Sequence, residues 1–177
     1  MLNYFVRKPC MNYGAKRYIR RKVNPDYFKF GFVRNPWERV VSCYSHKIVD
    51  TVLGKPLILD PRLKHNMSFE DFVDYIMENK KEKEADIHIR SQWCFVDECD
   101  FVGRFERINE DLAYVLAVLR LPLYPLKKKN AIPREKPWRD YYTEETFNKV
   151  AERYKKDIKL FDYGAAKLQN ISNNQQK

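Results

Sequence analysis

One stretch of this sequence, residues 28–48, restricts the fold more than any other, because its hydrophobic pattern changes period within a few residues. Phenylalanines at every second position lead up to Val33, and this alternation predicts a strand buried on at least one face. From Pro36 onward the apolar spacing is that of a helix. The residues of that helix face are Val40, Val41, Tyr44 and Ile48. The sequence therefore predicts a strand that passes through a tight turn into a helix.

The turn carries the signals of a helix start and of an anion site. Asn35 is a good N-cap, Pro36 suits the first helical position, and Glu38 lies where a capping-box carboxylate belongs. Arg34 ends the strand, so a forked cation is expected beside free backbone N–H groups and the positive end of the helix dipole. Ser42, further along the helix, could add its hydroxyl. The alternative is that Arg34 forms a surface ion pair and Ser42 has no functional role.

Three segments, in this order, resemble one enzyme family. Residues 32–44, Phe-Val-Arg-Asn-Pro-Trp-Glu-Arg-Val-Val-Ser-Cys-Tyr, resemble the 3′-phosphate-binding segment of sulfotransferases that use 3′-phosphoadenosine 5′-phosphosulfate (PAPS). Residues 100–111 resemble a later strand-to-helix segment of that family, and residues 141–163 resemble its C-terminal helix. The family includes the Golgi carbohydrate sulfotransferases and bacterial relatives. The resemblance implies transfer of a sulfuryl group from PAPS to a hydroxyl acceptor, with carbohydrate as the implied class.

The resemblance also implies which residues bind the nucleotide. Arg34 and Ser42 would anchor the 3′-phosphate, and the ring of Phe105 would lie near the adenine. Arg139 belongs to a basic segment, residues 127–139, which holds six Lys or Arg against one acid. This segment is expected either to cover the bound nucleotide as a lid or to form a solvated basic loop.

On the acceptor side, His88 and Gln92 are the candidates, because the family has a His and a Gln at similar spacing before its next strand. An imidazole can take the proton from an acceptor hydroxyl, so His88 is the candidate catalytic base. The alternative is that His88 is an exposed loop histidine without a role. The three histidines of the chain are isolated, and the sequence predicts no metal site.

A strand, a crossover helix and a second strand at residues 101–105 predict an α/β domain. We expect a three-layer, parallel-sheet, sulfotransferase-like fold related to the P-loop NTPases. Residues 1–163 are predicted to form this single domain, and residues 164–177 a polar, disordered tail. The family's 5′-phosphosulfate loop, a Lys followed by a glycine-containing, hydroxyl-rich turn, has no counterpart among the five glycines. The domain is therefore expected to be N-terminally truncated, which argues against activity in this chain as it stands.

Helix-start residues predict three more helices. Ser68, Asn109 and Thr143 each precede apolar residues at helical spacing, and Thr143 is expected to begin one continuous final helix. A short basic helix is predicted within residues 1–23, which contain no acid. The charged stretch 79–86 is predicted to be a solvated turn.

A net charge of +10 on 177 residues points to an anionic partner. The competing hypothesis is a non-catalytic basic binding module for nucleic acid or acidic polysaccharide, with nucleic acid the less favoured. A P-loop kinase is disfavoured because the Gly-Lys-Ser/Thr element is absent. The four cysteines lack Cys-x-x-Cys spacing and are typical of free thiols. Without a signal region or a membrane-length apolar run, the expected location is cytoplasmic, or the Golgi lumen if the chain is part of a longer eukaryotic protein.

Overall fold

The computed structural model describes residues 27–49, 62–64, 67–79, 81–82, 84–126 and 136–164. In chain order, the strands and helices are β1 (Phe30–Val33), α1 (Pro36–Tyr44), α2 (Phe69–Glu78), α3 (Trp93–Val96), β2 (Phe101–Arg104), α4 (Ile108–Val118), α5 (Glu144–Arg153) and α6 (Lys155–Leu160). A π-helical turn follows α1 at Ser45–Val49, and 3₁₀ turns occupy Phe105–Arg107 and Trp138–Tyr141.

These elements belong to two compact units of the chain. The described residues of the first unit, the sheet unit, lie within Met1–Arg34 and Lys81–Lys127. The helical unit takes its described residues from Asn35–Lys80 and Lys128–Lys177. One boundary between the units therefore passes between Arg34 and Asn35.

The sheet unit is built on the parallel pairing of β1 with β2. Phe30 lies opposite Phe101, and the register continues to the ends of both strands. Just before the strands, the backbone N–H of Lys29 donates to Asp100 Oδ2 at 2.6 Å across 71 residues of chain. The second strand predicted from the sequence is thus confirmed, and a parallel pair in a mixed helix and strand structure fits an α/β fold.

Each strand has a glycine at a point of close packing. A Cβ atom on Gly103 would lie 2.6 and 2.8 Å from two ring carbons of Phe32. A Cβ atom on Gly31 would lie 2.7 Å from Cγ1 of Val96, in α3. Real Cβ atoms essentially never approach so closely, so a side chain at either position must displace an apolar neighbour.

The predicted N-cap of α4, Asn109, is wrong. The 3₁₀ turn Phe105–Arg107 leads from β2 into the helix, so Asn109 is already the second helical residue. The carboxylate of Asp111, buried in the first turn, accepts the backbone N–H of Arg104 at 2.5 Å. Arg107 also pairs with this carboxylate, at 3.4 Å. Asp111 thus ties the end of β2 to the first turn of the helix that follows it, across seven residues.

The predicted start of α1 is confirmed. Pro36 occupies the first turn, and Asn35 Oδ1 accepts the backbone N–H groups of Trp37 at 3.1 Å and of Glu38 at 3.2 Å. One helix face is buried, as the spacing predicts. Its buried aliphatic residues are Val40, Val41 and, in the following π-helical turn, Ile48.

Aromatic rings form much of the core of the helical unit. The ring of Phe69, at the start of α2, meets the ring of Tyr142 edge-on at 4.9 Å. Ser68 caps α2 as predicted, because its side chain accepts the backbone N–H of Asp71 at 3.1 Å. The other rings of this cluster are Trp37, Tyr44, Phe72, Tyr141 and Phe147.

The prediction of one continuous final helix is wrong. The predicted helix start at Thr143 is confirmed, because Thr143 and Thr146 form a reciprocal capping box at the start of α5. The backbone then leaves helical geometry at Tyr154 (φ −110°, ψ 22°), which separates α5 from α6. The Tyr154 ring, 1% exposed, has the guanidinium carbons of Arg39 and Arg153 at 5.9 and 5.0 Å from its centroid. The break thus accompanies the burial of one ring that has two guanidinium groups close to it.

Three predictions fall outside the described residues: the basic helix within residues 1–23, most of the lid segment, and the tail beyond residue 164. Within the part of the chain that the structure describes, no helix has the length and apolar character needed to cross a bilayer.

Candidate functional site

The backbone of Arg34, directly after β1, is held by one side chain. Gln92 accepts the N–H of Arg34 with Oε1 at 2.8 Å and donates from Nε2 to the Arg34 carbonyl at 2.8 Å. Gln92 is only 7% exposed, so water competes little for these bonds. The amide therefore fixes both backbone polar groups of Arg34.

The guanidinium of Arg34 lies over the ring of Phe105, with Cζ 4.5 Å from the ring centroid. This distance is within the range of a cation–π interaction. The strand register explains the contact: Val33 pairs with Arg104, so the residues that follow them come at the same carboxyl end of the parallel pair. Ligands of α/β folds bind at such strand ends, and a guanidinium suits an anionic one.

The candidate base His88 is oriented by a nearby carboxylate. Asp86 Oδ1 lies 2.7 Å from His88 Nδ1 and accepts the backbone N–H of His88 at 2.8 Å. Because a carboxylate only accepts hydrogen bonds, Nδ1 carries a proton, and in the neutral ring Nε2 keeps the lone pair. The arrangement presents a nitrogen that can accept a proton.

The prediction of a solvated turn over residues 79–86 is wrong for Glu82, whose side chain is half-buried. Glu82 Oε2 accepts the backbone N–H of Ser91 at 2.8 Å, and Oε1 accepts the Ser91 hydroxyl. Ser91 is itself buried. This carboxylate closes the loop that carries His88 and leads to Gln92.

Ser42 and Arg139 belong to the helical unit. Ser42 is half-buried in the last turn of α1, and its carbonyl accepts the backbone N–H of Ser45. Arg139 is exposed, with its Cζ 4.4 Å from the centroid of the Trp138 ring. Their roles in nucleotide binding remain predictions from the sequence.

Among the predicted site residues, the structure brings Arg34 and Phe105 into contact. Gln92, predicted for the acceptor side, bonds to the backbone of Arg34, and its role at the acceptor stays a prediction. Sequence reasoning missed Asp86, although an Asp two residues before its partner is the pattern of an Asx turn. Among the residues described, no group of three or more His, Cys, Asp or Glu could hold a metal ion.

Comparison with known proteins gives one family and several curated relatives. A model described as "Sulfotransferase family" matches residues 10–164. Carbohydrate sulfotransferase 11 of Rattus norvegicus is 26% identical over 165 residues, covering 77% of this chain and 47% of that protein. Carbohydrate sulfotransferase 9 of Homo sapiens is 30% identical over 151 residues, covering 75% and 33%. Carbohydrate sulfotransferase 14 of Danio rerio is 26% identical over 167 residues, covering 77% and 44%.

No solved structure matches the chain significantly. The chain spans 33% to 47% of the length of these curated relatives. The family match includes Arg34, Ser42, His88, Phe105 and Arg139, and it covers most of the chain. Taken with the three segments and their order, this match shows that the chain belongs to the sulfotransferase family.

Proposed function

We propose that this chain binds PAPS and transfers a sulfuryl group to a hydroxyl group of a carbohydrate, even though the sequence shows no counterpart of the family's 5′-phosphosulfate loop. Membership of the family supports a sulfotransferase, and the names of the relatives support carbohydrate as the acceptor class. When bound, PAPS supplies the activated sulfuryl group. We also propose that β1 and β2 belong to a three-layer parallel sheet of the kind found in P-loop NTPases.

The observation that carries the proposal is Arg34, a cation fixed at the carboxyl end of β1. A guanidinium presents N–H groups in a planar fork that matches the oxygens of a phosphate. The ring of Phe105 packs against one face of this guanidinium, and Gln92 bonds to the backbone of Arg34. We assign the 3′-phosphate to Arg34, which then fixes the donor without taking part in bond making. Ser42 and Arg139 are proposed to contact the same nucleotide.

His88 is the proposed base for the acceptor. It would take the hydroxyl proton at Nε2 while the acceptor oxygen bonds to sulfur and the bond from sulfur to the phosphate oxygen breaks. Asp86 holds the tautomer that this step requires. Positioning and charge stabilisation by the protein then account for most of the catalysis, as in phosphoryl transfer.

Calorimetric titration with adenosine 3′,5′-bisphosphate tests the nucleotide site. We expect Arg34→Ala to weaken binding by about 10- to 100-fold, the effect of losing a charge-assisted hydrogen bond. The wild-type chain should bind 5′-AMP, which lacks the 3′-phosphate, with a similar loss. Lys159→Ala removes an equal charge from an exposed position of α6 and should leave the affinity unchanged.

The same titrations distinguish the competing hypothesis. Equal affinity for the bisphosphate and for 5′-AMP, falling steeply with salt and insensitive to Arg34, would indicate a basic binding module. Selective binding makes the second step worthwhile, which is transfer of labelled sulfate from PAPS to oligosaccharides. Transfer that needs His88 would establish the activity.

A further inference from the structure

We propose that Gln92 is a positioning residue for Arg34, so that anion binding depends on an amide that does not touch the anion. This inference rests on the proposed nucleotide site. Its basis is that Oε1 and Nε2 of Gln92 both bond to the backbone of Arg34, each at 2.8 Å. Because the N–H and the C=O of Arg34 belong to the two peptide groups on either side of its Cα, the two bonds restrain both of these groups.

The strand register shows why Arg34 needs this support. Val33 is the last residue of β1, and it lies opposite Arg104, the last residue of β2. Arg34 is therefore one residue beyond the paired strands. A primary amide carries one acceptor and one donor group in a plane, so Gln92 can bond to an N–H and a C=O of one residue, as a neighbouring strand would. The side chain thus extends the bonding of β1 by one residue.

Fixing the backbone has a consequence for affinity. A guanidinium on an unrestrained residue must be ordered when the anion binds, and this ordering reduces the observed affinity. Gln92 restrains the backbone of Arg34, and Phe105 restrains its guanidinium at 4.5 Å. Because Gln92 is 7% exposed, it offers little surface for direct contact with an acceptor sugar.

A double-mutant cycle separates positioning from a general structural role. Gln92→Met has a similar length and no hydrogen-bonding amide, so both bonds are lost. With Arg34 present, we expect Gln92→Met to weaken binding of adenosine 3′,5′-bisphosphate roughly tenfold, equivalent to one net hydrogen bond. In the Arg34→Ala background, the same change should alter the affinity less than about twofold, because no guanidinium remains to be positioned.

Further variants and a second measurement keep the test valid if Gln92→Met misfolds. Gln92→Leu, which also has no amide, replaces Gln92→Met in the cycle if that protein does not fold. Gln92→Glu keeps an acceptor for the Arg34 N–H but removes the donor, and it is used only for hydrogen exchange because its charge would itself repel the anion. Hydrogen exchange of the Arg34 amide should be fast in Gln92→Met and slow in Gln92→Glu and the wild type. Such a pattern is not expected from general destabilisation.

Each outcome has a distinct meaning. If Gln92→Met weakens binding when Arg34 is present but not in the Arg34→Ala background, the inference is supported. Equal loss in both backgrounds overturns it and leaves the proposed function standing. If the wild-type chain does not prefer the bisphosphate to 5′-AMP, the proposed function fails, and the inference fails with it.

Discussion

The indole of Trp37 stacks on the ring of Phe147, with centroids 4.5 Å apart and planes inclined by 10°, and its Nε1 donates to the Phe147 carbonyl at 3.0 Å. The hydroxyl of Tyr142 donates to the carbonyl of Trp37 at 2.9 Å. All three residues are buried. One tryptophan therefore joins the first turn of α1 to the first turn of α5 inside the helical unit.

Substitutions at Trp37 should separate packing from hydrogen bonding. Trp37→Ala should lower the free energy of unfolding by about 3–5 kcal/mol, because a large buried ring is lost. Trp37→Phe keeps a ring but removes the indole donor, and we expect a loss of about 1–3 kcal/mol. Urea unfolding followed by circular dichroism measures both. Trp138→Phe, at a half-buried position, is the matched control, and an equal loss there would contradict the assignment.

A methyl group at Gly103 should destabilise the sheet unit. The new Cβ would lie 2.6 Å from the Phe32 ring and 3.0 Å from Asp111 Cβ. Overpacking of this kind costs about 1–3 kcal/mol. Gly164→Ala is the control, because among the described residues no atom beyond its chain neighbours lies within 4 Å of a Cβ there. Equal unfolding midpoints for the two variants would show that Phe32 moves aside without cost.

Removing the proposed base should affect turnover and spare nucleotide binding. We expect His88→Ala to slow sulfate transfer by about 10²- to 10⁴-fold, the usual contribution of general acid–base catalysis. Asp86→Ala should cause a smaller loss, because the imidazole remains but its tautomer is no longer fixed. Single-turnover assays at saturating PAPS measure the rates, and calorimetry measures nucleotide binding.

His46→Ala is the control for these variants, since His46 lies in the π-helical turn of the other unit. A wild-type rate in His88→Ala would exclude His88 as the base. Weaker nucleotide binding in that variant would point instead to a role in holding the donor.

Stability should fall at alkaline pH because of buried tyrosines. Burial, and then proximity to Tyr154, raises the pKa of Tyr142 well above its usual value of 10.0. As the pH rises, the unfolded chain therefore loses this proton before the folded chain does. The contribution of Tyr142 to the free energy of unfolding is complete below about pH 10 and is lost as the pH rises toward the folded pKa. The expected slope is up to about 1.4 kcal/mol per pH unit.

Tyr142→Phe isolates this effect. The variant should lose about 1 kcal/mol at pH 7, because the hydrogen bond to the Trp37 carbonyl is gone. Above pH 10 its free energy of unfolding should fall less steeply than that of the wild type. Parallel curves for the two proteins would show that Tyr142 ionises equally easily in the folded and unfolded chains.

Local signals predicted the helix starts at Asn35 and Ser68, because a capping residue bonds to backbone groups two or three positions away. The start of α4 could not be predicted in this way. It depends on the bond from the Arg104 backbone to Asp111, and the capping rule identified Asn109 instead. This bond spans seven residues, which is beyond the two- or three-residue reach of the capping rule.

The same distinction applies to the candidate site. Arg34 could be identified as a candidate anion-binding residue from the strand-to-helix pattern around it. Its contact with Phe105 depends on the strand register, which the sequence alone does not give. The bond to Gln92 joins residues 58 positions apart. The family spacing therefore points to Gln92, but its bonds to Arg34 could not be predicted from that spacing.

The parallel pairing of β1 and β2 has a consequence for synthesis on the ribosome. Lys29 and Asp100, which bond at the start of the two strands, are 71 residues apart. At about 5–20 residues per second, β1 leaves the exit tunnel roughly 4–14 s before β2. During this interval a phenylalanine-rich strand has no β2 to pair with, and unpaired strands are prone to aggregation. We therefore expect β1 to be open to pairing with other chains until β2 emerges.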